Sequence, residues 1–162
     1  MSIKVLFVCL GNICRSPMAE AVFQQMVEEA GLSGQIEVDS AGTGSWHVGE
    51  RAHPGTRRIL AQHGIQYNGR ARQVTAADMA GPDVWIVAMD GENLRDLERR
   101  YGRRARTVRL LDYAANTPER DVPDPYYTGN FAYVYQLVSD GCRGLLAAIR
   151  EAYNLPADDN QG

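Results

Sequence analysis

The stretch FVCLGNICRSPMAEAVF, residues 7–23, constrains this chain more than any other. An apolar run closes on Cys9 and a helical pattern opens near Ser16; between them lie a glycine, an asparagine, a second cysteine and an arginine. Ser16 suits an N-cap and Pro17 the first helical position, which predicts a helix over Pro17–Ala30 stopped by Gly31. A tight loop between a buried strand and a helix amino terminus turns successive N–H groups towards one point. There the helix adds about +0.5 of a charge. Gly11 allows a close approach, and Asn12 tolerates the left-handed backbone such a loop needs. Arg15 offers a planar fork of donors that matches two oxygens of a phosphate. In that field a cysteine pKa is expected to fall from about 8.5 to roughly 3.5–7.5. Cys9 therefore reads as a nucleophile beside a bound phosphoryl group, cradled by Leu10, Gly11, Asn12, Ile13, Cys14 and Ser16. Packing would account for two buried cysteines, but not for Gly-Asn or Arg-Ser. The loop lacks the Gly-Lys-Ser/Thr ending of an ATP-binding loop, and His47 stands where a dinucleotide fingerprint from Gly42 and Gly44 would need its third glycine.

Four short apolar runs, Ile3–Val8, Ile36–Ser40, Val84–Ala88 and Thr107–Leu111, read as strands. They alternate with helical patterns over Pro17–Ala30, Pro54–His63, Glu92–Tyr101 and Phe131–Tyr153, with a short turn over Thr75–Met79. The alternation implies an α/β fold with a four-stranded parallel sheet, helices on both faces and the phosphate-binding loop after strand 1. Residues 1–155 are expected to form one domain and 156–162 a flexible tail. Ligands of open α/β sheets bind beyond the carboxyl ends of the strands. The loops there are Cys9–Ser16, Ala41–Ala52, Met89–Gly91 and Asp112–Asn130, and they hold nearly every candidate residue.

A net charge of −3 gives no electrostatic case for nucleic acid or an anionic membrane. Ile3–Leu10 is too short to span a bilayer, and no signal-cleavage pattern follows it, so a cytoplasmic protein is expected. The three cysteines, Cys9, Cys14 and Cys142, form no disulfide framework. They and the histidines at 47, 53 and 63 make no metal-ligand pattern, so neither metal nor cofactor is expected. The basic run 98–109 sits at a helix carboxyl end, where cations meet the helix dipole favourably, and reads as a solvated face away from the site.

VCLGNICRSPMAEAVF resembles the amino-terminal signature of the low-molecular-weight protein tyrosine phosphatases, and VDSAGT, AMDGENLRDL and DPYYTGN resemble further blocks in the same order. The likeness runs from Ile3 to about Tyr153. It implies metal-free hydrolysis of protein phosphotyrosine through a phosphocysteine on Cys9, with Arg15 binding phosphate. Asp124, stiffened by Pro125, would be the general acid, with Asp121 in reserve. Trp46, His47, Tyr126 and Tyr127 would wall the substrate ring. The resemblance also implies that Ser16 stabilises the thiolate, that Ser40 bonds Asn12 and that Asp90 fixes Arg15. It further implies that Tyr126 and Tyr127 can be phosphorylated and that Cys14 guards an oxidised Cys9, and it makes phosphotyrosine proteins and a cognate tyrosine kinase the expected partners. A monomer is expected. Many relatives complete the network around Asn12 with a histidine before Arg-Ala-Arg-Gln; this chain has Asn68-Gly69 there. Three alternatives stand beside this reading. A phosphoarginine phosphatase would usually carry threonine at Ile13, an arsenate reductase would need relay cysteines near the site, and a non-catalytic phosphotyrosine-binding module would lack the nucleophile or the acid.

Overall fold

The computed structural model describes residues 2–103 and 106–156. The tail expected over 156–162 lies, apart from Pro156, outside the described residues. β1 (Ile3–Cys9) is central in a parallel sheet of order β2-β1-β3-β4, with β2 (Ile36–Gly42), β3 (Val84–Ala88) and β4 (Thr107–Arg109). A parallel sheet covered on both faces needs strands that are apolar on both sides, and β1 alternates accordingly. Ile3, Val5, Phe7 and Cys9 join the core shared with α1 (Arg15–Glu29), α2 (Pro54–Gln62) and α5 (Phe131–Tyr153). Leu6 and Val8 meet Leu97 of α3 (Gly91–Tyr101) and Met79 of the 3-10 turn Ala76–Met79 on the other face. β1 has β2 on one side and β3 on the other, so its carboxyl end, at Cys9, is the crevice where ligands of such sheets bind.

Several boundaries differ from those read in the sequence. α1 starts at Arg15 with Cys14 at its N-cap, and no side chain caps it. Ser16 is not the N-cap: it lies inside the first turn, and its hydroxyl is drawn to Cys9 and Asn12 instead. β4 stops at Arg109, because Leu110–Tyr113 coils into a 3-10 turn that drives Leu110 and Leu111 into the core. β2 continues to Gly42, where a Cβ would stand 2.9 Å from the Leu10 carbonyl oxygen. The Asp-Pro segment forms one helical turn, α4 (Pro125–Thr128). In the basic run, Arg99 pairs with Asp96 and Arg103 with Glu98 on the surface. Arg100 departs from expectation, because it reaches 2.6 Å to the Thr43 carbonyl, at the site end of β2. No helix among the described residues is long and apolar enough to cross a membrane.

Candidate active site

The loop after β1 has its carbonyls tied down by its surroundings. Thr43 N–H donates to the Cys9 carbonyl at 2.9 Å, Gly44 N–H to Leu10 at 2.9 Å and His53 N–H to Ile13 at 2.7 Å. The Thr56 hydroxyl takes the Cys14 carbonyl at 3.1 Å. With these oxygens engaged by the neighbouring loops, the N–H groups of Leu10, Gly11, Ile13 and Cys14 have no protein acceptor among the described residues. A run of unspent N–H groups at the start of a helix is an anion cradle. Cys9 Sγ lies within it, 3.0 Å from the Ser16 hydroxyl and 3.3 Å from the Asn12 N–H. Gly11 is needed for a side chain rather than for its own φ: a Cβ would meet the His47 ring at 3.0 Å.

Asn12 is the hub that sets the loop's shape. Its backbone is left-handed, φ 57°. Its amide donates to Ser16 Oγ at 2.7 Å and Ser40 Oγ at 3.0 Å, and its carbonyl oxygen accepts the Arg72 N–H at 3.0 Å. Ser40 then donates to Glu20 Oε1 at 2.6 Å, and the Tyr67 hydroxyl donates to the same oxygen at 2.8 Å. Glu20 and Tyr67 thus end the network that Asn68-Gly69 left open. Burial pushes the Glu20 carboxyl above its ordinary pKa, against the lowering effect of the two hydroxyls. Burial and the nearby Glu20 charge push the Tyr67 phenol up as well.

A carboxyl whose pKa is raised on folding favours the fold below its unfolded value, about 4.3. That contribution is lost as pH rises towards the folded value. Glutamine keeps an acceptor oxygen for both hydroxyls without the charge. Glu20→Gln should therefore melt above the parent at pH 7, by roughly 2–4 °C, and the difference should close towards pH 4. Thermal melts that place the parent higher at pH 7 would instead show the ionised carboxylate holding the loop.

Arg15, 3% exposed, is held by two acceptors on one nitrogen, Asp90 at 2.6 Å and the Val122 carbonyl at 2.9 Å. Burial alone would lower its pKa. The charges of Cys9, Asp90 and Asp124, with the Asp90 hydrogen bond, outweigh that and raise it. Nη2 faces Asp124 at 3.6 Å. Asp124 caps α4 by accepting the Tyr126 N–H at 3.1 Å, which aims its other oxygen at Arg15. Asp90 caps α3 through Asn93. Asp121 bonds the Gly91 N–H at 2.9 Å and does not line the pocket, so the reserve acid is misplaced for that role. Burial first, then the charges of Asp124 and Cys9, push the Cys14 thiol up to about 12.

These groups close around a pocket of ≈ 290 Å³. Cys9, Leu10, Gly11, Ile13, Cys14 and Arg15 form its floor; Trp46, His47, Asp124, Tyr126 and Tyr127 form its walls. Asn12, Ser16, Ser40 and Asp90 stand behind them as supports. Trp46, Tyr126 and Tyr127 are 69%, 53% and 77% exposed and line one pocket, so together they make an apolar patch of the kind that marks a binding site. His47 pairs with Glu50 at 3.0 Å. The sequence reading missed Glu20, Tyr67 and Gly42, and it also missed His53, whose ring stacks on Phe131 and meets Tyr126 edge-on. Only His53 carried a local signal, as the residue before a helix-opening proline; its Nδ1 accepts the Gly55 N–H. Cys142 is buried against α1, 3.9 Å from the Ala19 carbonyl, and it is absent from the pocket lining. Among the described residues, no cluster of three or more His, Cys, Asp or Glu is placed to hold a metal.

The family profile described as low molecular weight phosphotyrosine protein phosphatase matches residues 4–155. The low molecular weight protein-tyrosine-phosphatase YfkJ of Bacillus subtilis is 51% identical over 94% of this chain and 99% of its own length. Its crystal structure superposes with a TM-score of 0.89, covering 94% of this chain and 97% of that one. A low molecular weight protein-tyrosine-phosphatase of Streptomyces coelicolor is 47% identical over 93% of this chain and 96% of its own. The crystal structure of DARP, a Drosophila arginine phosphatase, matches with a TM-score of 0.83 at 34% identity, over 91% of this chain and 98% of that one.

Proposed function

The chain belongs to the low molecular weight phosphotyrosine protein phosphatase family, and on that premise we propose that it hydrolyses protein phosphotyrosine at the Cys9 pocket. The observation that carries the reading is Cys9 Sγ set among unspent loop N–H groups, with the Arg15 guanidinium beside it. The Cys9 thiolate attacks phosphorus, forming the P–S bond as the P–O bond to the phenol breaks. Asp124, as the acid, protonates the leaving phenolate. Its carboxylate then takes a proton from water, which attacks phosphorus and releases inorganic phosphate and the thiolate. Arg15 and the loop amides hold the oxygens on which charge builds in both steps. The Ser16 hydroxyl, 3.0 Å from Sγ, stabilises the sulfur as it becomes a leaving group.

The aromatic walls and Ile13 favour a phenyl ester. A phosphoguanidinium at Ile13 would lose water without gaining a polar partner. The arsenate-reductase reading is disfavoured, because its relay needs a cysteine at the pocket besides Cys9 and Cys14, and Cys142 is buried elsewhere. The test is hydrolysis of a phosphotyrosine peptide and of phosphoarginine with chelator present. The peptide should be turned over and strongly preferred, and Ile13→Thr should shift selectivity towards phosphoarginine. Comparable rates on both substrates in the parent would overturn the assignment.

Cys14 lines the same pocket as Cys9 and is its redox guard. Peroxide converts Cys9 to a sulfenic acid; the Cys14 thiol then displaces water from it and forms a disulfide. After peroxide and dithiothreitol, the parent should recover activity and Cys14→Ser should not. Equal recovery, with no disulfide in the mass spectrum, would leave Cys14 as packing. The three reduced thiols suit a cytoplasmic setting, where a tyrosine kinase would supply the substrate and a monomer would suffice.

A further inference from the structure

The chain carries a net charge of −3, yet between Thr43 and Gln73 the only carboxylate is Glu50, against Arg51, Arg57, Arg58, Arg70 and Arg72. Arg72 is spent on Asp39 and Asp78, each at 2.9 Å. Arg51, Arg57, Arg58 and Arg70 have no ion pair among the described residues. Glu50 itself is engaged by His47. Arg57 and Arg70 are held in place by loop carbonyls, Ala52 at 2.9 Å and Gly49 at 3.3 Å, and the backbones of Arg51 and Arg70 pair antiparallel. Arg51 and Arg57 border a cleft of ≈ 400 Å³ with Gln66, Tyr67 and Asn68.

This group hangs on the loop that walls the active site. Trp46 and His47 line the pocket, and His53 N–H holds the Ile13 carbonyl at 2.7 Å. Arg51 is two residues from His53, so its Cα lies at most about 7 Å away. A phosphotyrosine seated over Cys9 puts its flanking residues, spaced by about 3.3 Å each, within reach of an arginine side chain. The opposite rim is unlike this one. Three carboxylates stand there, Asp112 and Asp121 within ion-pair distance of Arg109 and Asp124 facing Arg15, so an acidic segment would meet like charge on that side. We propose that Arg51, Arg57 and Arg70 form a docking surface for an acidic segment flanking the phosphotyrosine of a protein substrate. The proposal rests on the phosphatase reading and adds the class of phosphoprotein it selects. The aromatic pocket supplies the anchor, and the arginines supply direction and encounter rate.

The experiment compares kcat/KM for a phosphotyrosine peptide flanked by glutamates, the same peptide with glutamines, and phenyl phosphate. The acidic peptide should be preferred by roughly three- to tenfold at low salt, mainly through KM, and the preference should fade as salt shortens the Debye length. Arg51→Gln with Arg70→Gln should reduce the preference to within about twofold, with phenyl phosphate unchanged, and Arg51→Lys should keep it. Equal rates on the two peptides in the parent would overturn the proposal. So would a parallel loss on phenyl phosphate in the variant, which would place the effect in the pocket wall. Competition by a short oligonucleotide with equal peptide rates would assign the arginines to nucleic acid instead. The glutamine peptide reads the phosphatase assignment by itself: absence of turnover on all three substrates would remove that assignment and the docking surface with it.

Discussion

Replacing Cys9 by serine should lower turnover by on the order of 10⁴–10⁶, the scale of losing a nucleophile, while inorganic phosphate still binds. Binding and attack depend on different atoms here. On the proposed reading the phosphate oxygens would meet the N–H groups of Leu10, Gly11, Ile13 and Cys14 and the Arg15 guanidinium, all of which the substitution leaves in place. A serine hydroxyl at the Cys9 position does not ionise near neutral pH, and its oxygen is a poor nucleophile without a base beside it. The partners within hydrogen-bond distance of Cys9 Sγ are the Ser16 hydroxyl and the Asn12 N–H, and neither takes up a proton. The check is steady-state kinetics together with phosphate titration by calorimetry. Retained turnover would move the nucleophile elsewhere; lost phosphate binding with a folded protein would make Cys9 part of the cradle rather than the attacking group.

The second large effect is at Asp124. Asp124→Ala should lose about 10²–10⁴-fold in kcat/KM on phenyl phosphate or phosphotyrosine, the usual worth of a general acid. It should lose far less in kcat/KM on 4-nitrophenyl phosphate, whose leaving group needs little protonation. Asp124 also caps α4 and pairs with Arg15, so a loss could come from a displaced loop. Asp124→Asn separates the two: it can still accept the Tyr126 N–H and carries no proton to give, so it should follow the alanine variant in rate. Equal losses on both esters would remove Asp124 from the acid role.

What was legible in the sequence was local. Cys9, Asn12 and Arg15 belong to one short loop, and their chemistry follows from a strand, a tight turn and a helix start in succession. The parallel sheet followed from apolar runs alternating with helical patterns. Ser16 shows where local reading fails. A serine before proline is a good N-cap by propensity, but in the fold its hydroxyl goes to Cys9 and Asn12 and the helix begins earlier. Glu20 and Tyr67 were invisible for a related reason. Glu20 reads like the other polar residues of α1, such as Gln24 and Glu28, that lie off its core face, and Tyr67 lies in an irregular segment 47 positions away; only the fold brings both to Ser40. The end of β4 was misread because Leu110 and Leu111 prolong an apolar run, although tertiary packing coils them away from the sheet.

The most direct measurement is of the intermediate. In Asp124→Ala, attack on 4-nitrophenyl phosphate proceeds while hydrolysis of the phosphocysteine lacks its base, so the P–S bond should accumulate during turnover. Rapid quenching and mass spectrometry of the peptide that carries Cys9 should find one phosphoryl group, on Cys9. An unmodified Cys9 in an enzyme still releasing 4-nitrophenol past the first turnover, or a phosphoryl group on His47 or another side chain, would contradict nucleophilic catalysis by Cys9.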